Sequence, residues 1–210
     1  ARTEAFSEYK ANRQETPEAI KIAVPIIESI LKAMKIPAVV LSGYEADDII
    51  GTLAKKAEKE GYQTFMVTPD KDFAQLVSEN IFMYKPARMG NGIEIWGIKE
   101  VQQRFEVTDP KQVIDFLGMM GDSVDNIPGL PGVGEKTAKK FINLYGSMEN
   151  LLKNTAEIKG KLREKIELNK DKGILSKKLA TIMLDVPIQY DFDDFKLDDP
   201  NHKNVYEIFE

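Results

Sequence analysis

Apolar and polar positions follow two regimes along this chain. In the first hundred residues short apolar runs alternate with amphipathic stretches, and from about Ile98 the spacing is helical almost throughout. Thr16-Pro17 reads as an N-cap followed by proline at the first helical position. Ile20, Val24, Ile27, Leu31 and Met34 then recur at helical intervals. Pro25 within that series predicts a kink, because it lacks an N–H and clashes with the preceding turn. Residues 36–41 read as a short buried strand, 45–60 as a helix closed by Gly61, 62–68 as a second strand and 73–77 as a short helix. Two strands joined by a helix predict a βαβ unit with parallel pairing and a right-handed crossover. Residues 81–85 and 93–96 read as a hairpin about Met89-Gly90-Asn91-Gly92. Helices are expected at 98–105, 110–120, 134–145, 147–153, 158–169 and 172–184, before an acidic tail at 186–210. The predicted class is α/β: a mainly parallel sheet core followed by an all-helical region.

Composition narrows the chemistry. With 210 residues, 42% of them hydrophobic, the chain holds enough apolar material for one sizeable core. The apolar run at 36–41 is too short to cross a bilayer, and no basic-then-apolar start suggests secretion, so a cytoplasmic protein with no membrane partner is expected. The absence of cysteine excludes disulfides, thiolate zinc sites and cysteine nucleophiles. His202, the single histidine, lies in the acidic tail, which sets aside Ser-His and His-metal mechanisms. Any chemistry therefore falls to carboxylates, lysines, arginines and backbone groups. The chain opens at Ala1 without methionine, which suggests a piece of something longer.

Three acidic groups stand out. Glu45, Asp47 and Asp48 open a helix, Asp70 and Asp72 follow the second predicted strand, and Asp122 and Asp125 lie in a loop after a helix. Each has an ordinary reading: acids in a first helical turn complement the dipole, and Asp-Lys-Asp or Asp-x-x-Asp suits turns through Asx bonds. If the βαβ reading holds, the first two groups share the carboxyl edge of the sheet. Local sequence does not bring the third to them. Carboxylates gathered closely repel unless cations neutralise them, and an all-oxygen set suits magnesium or manganese. Two such ions together form a common apparatus for phosphodiester hydrolysis. Neutralising these seven carboxylates turns the formal charge of −5 into +2, so the acidic total does not exclude DNA.

Leu130-Pro131-Gly132-Val133-Gly134-Glu135-Lys136-Thr137-Ala138 opens a later helix. Gly132 and Gly134 permit positive φ and close backbone approach. The helix start points amides toward an anion, and Lys136, Lys139 and Lys140 add charge. This run resembles a helix-hairpin-helix, which grips the phosphates of one strand without reading bases. An ordinary Gly-Pro turn between helices is the plain alternative.

The motifs Gly43-Tyr44-Glu45-Ala46-Asp47-Asp48-Ile49-Ile50, Asp70-Lys71-Asp72-Phe73-Ala74-Gln75-Leu76-Val77 and Gly121-Asp122-Ser123-Val124-Asp125-Asn126-Ile127-Pro128-Gly129 occur in one order. In that order, and with the glycine hairpin, the chain resembles the 5′-nuclease domains of bacterial DNA polymerases I, in the flap endonuclease superfamily. The resemblance runs from about Tyr9 into the 180s. It implies a PIN-like α/β nuclease core with a partial helical arch (1–100), a helix-three-turn-helix DNA-binding region (101–185) and an acidic tail packing on the core (186–210). It implies structure-specific removal of 5′ flaps and RNA primers during replication and repair, in the bacterial cytoplasm, beside a covalently linked polymerase.

On this resemblance Glu45, Asp47, Asp48, Asp70, Asp72, Asp122 and Asp125 would hold Mg2+ or Mn2+, with Asp48 and Asp70 counted among the catalytic groups. Tyr9-Lys10-Ala11-Asn12-Arg13 matches the arch motif, in which Tyr9 would stack on a base while Lys10 and Arg13 meet the scissile phosphate. Gly132, Gly134, Lys136, Thr137, Lys139 and Lys140 would bind DNA, and carbonyls around 129–134 would hold K+. Two family aspartates, one in a first strand and one upstream of Tyr9, have no counterpart here. Their loss predicts impaired metal binding and weak or absent activity, and losing that first strand, a central piece of the sheet, predicts exposed strand edges. Pro69 stands where the family carries glycine, which stiffens that turn. A non-catalytic DNA-binding module that keeps the clamp is the second reading. A PIN-type ribonuclease is a third, disfavoured by the clamp.

Overall fold

A computed structural model describes residues 2–86 and 92–209. A single helical turn, α1 (Arg2–Ala5), leads into a looped segment and then the long helix α2 (Glu18–Ala33). Pro17, not Thr16, is the N-cap residue, and the helix runs through Pro25, where Ser29 Oγ donates to the proline carbonyl at 2.9 Å. The apolar stripe of α2 faces outward: Ile20 is 52% exposed and Ile27 equally so.

Residues 36–41, expected as a buried strand, pair with no other strand and lie at the surface, with Val40 83% exposed. A strand exists only through its ladder, and nothing among the described residues supplies a partner there. The expected βαβ unit is therefore absent. Helix α3 (Ala46–Lys59) forms as its spacing predicts, burying Ile49, Ala54 and Ala57, with Asp47 and Asp48 in its first turn and Lys56 and Lys59 in its last.

The sheet has three strands in the order β1 (Thr64–Val67), β2 (Ile81–Lys85) and β3 (Glu94–Trp96). β1 and β2 are parallel, with Thr64 opposite Ile81, and their connection is the 3₁₀ turn Lys71–Leu76 rather than a full helix. β2 and β3 are antiparallel, with Met83 opposite Trp96; the turn residues 89–91 lie outside the described residues. Among the described residues the outer edge of β1 has no partner, and Val67 is 68% exposed there.

The helical half follows its periodicity closely: α4 (Ile98–Phe105), α5 (Val113–Met120), α6 (Glu135–Tyr145), α7 (Met148–Lys153), α8 (Lys161–Leu168) and α9 (Lys170–Ala180). Helix α5 lies along α9 and carries Phe116 and Met119 into a cluster that continues through Phe105 to Met83 and Ile81 of the sheet. One apolar core thus joins the two halves and fixes the loops at their junction.

Beyond α9 the chain runs back over α3. Phe192, its ring tilted against Tyr62 with centroids 5.0 Å apart, and Phe195 cover the side of β1, and α10 (His202–Phe209) packs against α2. No helix among the described residues is long and apolar enough to cross a membrane.

Candidate active site

The turn at Gly43, with φ of +87°, delivers Glu45 to the start of α3. Asp48, one turn on, is only 2% exposed. Both its oxygens accept from Arg2 at 2.7 Å, and Oδ1 accepts the Met183 amide at 2.8 Å as well. Burial works to raise this carboxyl, but the Arg2 and Met183 hydrogen bonds outweigh it and hold it below its ordinary value. Glu45 accepts from Lys10 Nζ at 2.8 Å and from the Tyr9 hydroxyl at 3.1 Å. Among the described residues no cation pairs with Asp47: burial, then the charges of Asp70 and Glu45, push its carboxyl upward.

The second group is built as an Asx turn. Asp70 Oδ1 accepts the Asp72 amide at 3.0 Å, and the Asp70 amide donates to Thr68 Oγ1 at 3.1 Å. The third group is turned back by Gly121 and Gly129. A Cβ on Gly121 would lie 2.7 Å from the Gly129 nitrogen, and both residues have positive φ. Asp122 pairs backbone to backbone with Ile127 across this loop, and its Oδ1 accepts the Val124 amide at 2.8 Å. Lys71 Nζ joins the two groups, 2.8 Å from Asp122 Oδ2 and 3.4 Å from Asp72 Oδ1. Burial, reinforced by Asp70 and Asp122, pushes the Asp72 carboxyl up to about 6 against the pull of Lys71. Burial also raises Asp122, yet its Lys71 hydrogen bond and amide donors hold it below the usual range.

Asp125 closes the circuit, receiving Arg13 Nη2 at 2.5 Å and facing Lys10 Nζ at 3.9 Å. Arg2, Lys10 and Arg13 thus join Asp48, Glu45 and Asp125, and Lys71 joins Asp72 and Asp122, while Asp47 and Asp70 enter the same cluster through the like charges that act on Asp47 and Asp72. Tertiary structure brings the third group to the other two, which local sequence does not do.

Several expectations change. Tyr9-Lys10-Ala11-Asn12-Arg13 is a turn rather than an arch helix, with Lys10 at φ +59°. It docks on the third acidic loop: the Lys10 amide donates to the Asp125 carbonyl at 3.0 Å and Asn12 Nδ2 to the Ser123 carbonyl at 2.8 Å. Tyr9 does not stand free to stack on a base; it is 6% exposed, packed with Ile127 and Leu179, and burial raises its hydroxyl to about 12. Among the described residues no three carboxylates stand close enough to enclose a metal ion by themselves. Like charges spread apart, and basic side chains lie between them. Arg2 and Lys71 hold carboxylates of this cluster, and sequence reasoning missed both. Lys71 lay inside a quoted motif, whereas nothing local marked Arg2.

The hairpin forms where expected, between the loop after α5 and α6. Gly132 adopts φ +89°, but Gly134 has φ −98° and is the N-cap of α6 in extended backbone. Lys136 and Lys140 are exposed and make no ion pair among the described residues, while Lys139 pairs with Glu106 and Glu135 at 3.3 Å each. Together with Thr137 these groups line an open basin of about 700 Å³ at the helix start.

Two family models match the chain. Residues 1–106 match the 5′-3′ exonuclease N-terminal resolvase-like domain, and residues 108–203 match the 5′-3′ exonuclease C-terminal SAM fold. The chain is 41% identical to DNA polymerase I of Bacillus caldotenax over 209 residues, covering 99% of this chain and 24% of that protein. It is 38% identical to a 5′-3′ exonuclease of Aquifex aeolicus, covering 95% of this chain and 66% of that one. The chain therefore spans about a quarter of the length of the polymerase relatives it matches. Among solved structures, the bacteriophage T5 flap endonuclease in a complex with DNA and metal ions superposes with a TM-score of 0.72. That match has 20% identity and covers 99% of this chain and 78% of that one, a likeness of fold.

Proposed function

The chain belongs to the 5′-3′ exonuclease family, and from that premise we propose that it hydrolyses phosphodiester bonds near the 5′ ends of branched DNA with divalent metal ions. The observation that carries this reading is the single cluster formed by three acidic groups up to 80 positions apart, with Lys71 bridging Asp72 and Asp122. Hard divalent ions, Mg2+ or Mn2+, suit its donors, all of them carboxylate oxygen. The burial supports this too: it raises the Asp47 and Asp72 carboxyls together with the charges of their carboxylate neighbours, in Asp72 even with Lys71 Nζ 3.4 Å from Oδ1. Glu45, Asp47, Asp70, Asp72, Asp122 and Asp125 would hold the ions. When bound, such ions supply charge neutralisation and a water acidic enough to act as nucleophile.

Lys10 and Arg13 sit on Glu45 and Asp125, at the rim of the cluster, where a phosphate would draw on the same two cations. The exposed Lys136 and Lys140 beside the start of α6 would hold the duplex backbone at a distance from the reaction. Backbone carbonyls at 129–134 would add a K+ site there. Flaps, nicks and RNA primers are the proposed substrates, in company with a polymerase.

A labelled 5′-flap substrate titrated with Mn2+ tests the reading. Cleavage that Asp70→Asn abolishes without loss of DNA binding is expected. Salt-sensitive binding with no product from the parent chain would instead favour a non-catalytic clamp, and preference for single-stranded RNA over branched DNA would favour a ribonuclease.

A further inference from the structure

Arg2 has every one of its five guanidinium N–H donors engaged. Nε donates to the Leu179 carbonyl at 3.0 Å. Nη1 donates to Asp48 Oδ2 at 2.7 Å and Glu45 Oε2 at 3.3 Å, and Nη2 to Asp48 Oδ1 at 2.7 Å and the Thr181 carbonyl at 2.8 Å. The side chain is 12% exposed. A guanidinium offers five donors in a rigid fork and no acceptor, so this one is saturated.

Its acceptors come from two places. The carboxylates belong to the start of α3, and the carbonyls to the end of α9 and the segment that leaves it. The same segment is held at further points: Gln75 Nε2 donates to the Ala180 carbonyl and Gln75 Oε1 accepts the Ile182 amide, both at 3.0 Å. Asp48 itself accepts the Met183 amide. The acidic end of α3 is thereby fastened to the helical half.

We infer that Arg2 is a positioning residue for the carboxylate cluster, and that Asp48 serves as its strut to the 179–183 segment and not as a metal ligand. The inference rests on the metal-dependent reading above and deepens it. If Asp48 turned toward an ion, the Arg2 fork would be left buried without its bidentate partner, a strongly unfavourable state. Glu45 is oriented by the same fork, which contacts one of its oxygens and leaves the other to Lys10. Lysine at position 2 would supply the charge but not the fork.

Mn2+ binding to the 210-residue chain, followed by electron paramagnetic resonance, separates the roles. Asp48→Asn should bind Mn2+ within about threefold of the parent, and Asp70→Asn at least about tenfold more weakly. In EDTA, Asp48→Asn and Arg2→Lys should both unfold about 4 °C or more below the parent. With saturating Mn2+ and a 5′-flap substrate, Arg2→Lys should lower kcat and leave KM nearly unchanged. A tenfold loss of Mn2+ affinity in Asp48→Asn overturns the inference, as does an Arg2→Lys chain with the parent's stability or kcat. If Asp48→Asn does not fold, the parent decides: its Arg2 Nη–H resonances, hydrogen-bonded to Asp48, should persist when Mg2+ is added, and their loss would place Asp48 on the ion. If the parent binds no Mn2+, the metal reading falls, while unfolding in EDTA still decides the strut.

Discussion

Lys71 donates to Asp122 at 2.8 Å across 51 positions of sequence, and that one ammonium ties the turn after β1 to the loop after α5. Both partners are partly exposed, so the pair itself contributes on the order of 1 kcal/mol after screening. Lys71→Met should lower the Tm in EDTA by about 2–4 °C. Divalent ions should recover more stability in this variant than in the parent, because Asp72 and Asp122 then repel without a cation between them. Thermal unfolding with and without Mn2+ reads both effects; equal recovery in the two chains would contradict this role.

The Asp72 carboxyl gives the metal-free protein an unusual pH dependence. Its value in the folded chain is about 6, above the unfolded value of 3.8, so the folded state retains a proton that the unfolded state has released. Its contribution therefore falls as pH rises from about 4 to 6. Asp72→Asn should remove that slope and stabilise the chain at pH 7 in EDTA by up to about 3 kcal/mol. Asp48 and Asp122, held below their ordinary values, act in the opposite sense: they stabilise at neutral pH and lose this below pH 4. Urea unfolding from pH 3 to 7 on parent and variant separates the two.

Gly121→Ala should be severe. Its φ is +72°, and the added Cβ would lie 2.5 Å from the Ile127 carbonyl oxygen and 2.7 Å from the Gly129 nitrogen. Backbone on both sides cannot yield without opening the Asp122–Ile127 bridge, so a loss of about 3 kcal/mol or more is expected. Urea unfolding measures it, and a loss below about 1 kcal/mol would show that the loop relaxes freely.

The hairpin lysines should differ among themselves. Lys136→Ala and Lys140→Ala each remove an exposed cation that makes no ion pair among the described residues, and should reduce the salt slope of DNA binding by about 1. Lys139→Ala should do less, because Glu106 and Glu135 already occupy that ammonium. Fluorescence anisotropy across a salt series checks the ranking, and an equal effect from all three would refute it.

Much was legible without coordinates. The helices from Ile98 onward, the three carboxylate motifs and the glycine hairpin are written in local periodicity and turn chemistry, which act over a few residues. Lys136, Gly132 and the Asx turns at Asp70 and Asp122 stand where those short-range rules put them. Whether 36–41 becomes a strand depended on a pairing partner that no local rule supplies. The burial of Tyr9, the saturation of Arg2 by groups as far off as Thr181, and the Lys71 bridge likewise depended on which distant atoms came alongside. Local spacing marks which side chains can carry charge. Only the packed chain decides which opposite charge each one meets, because ion pairing and burial are set by neighbours in space.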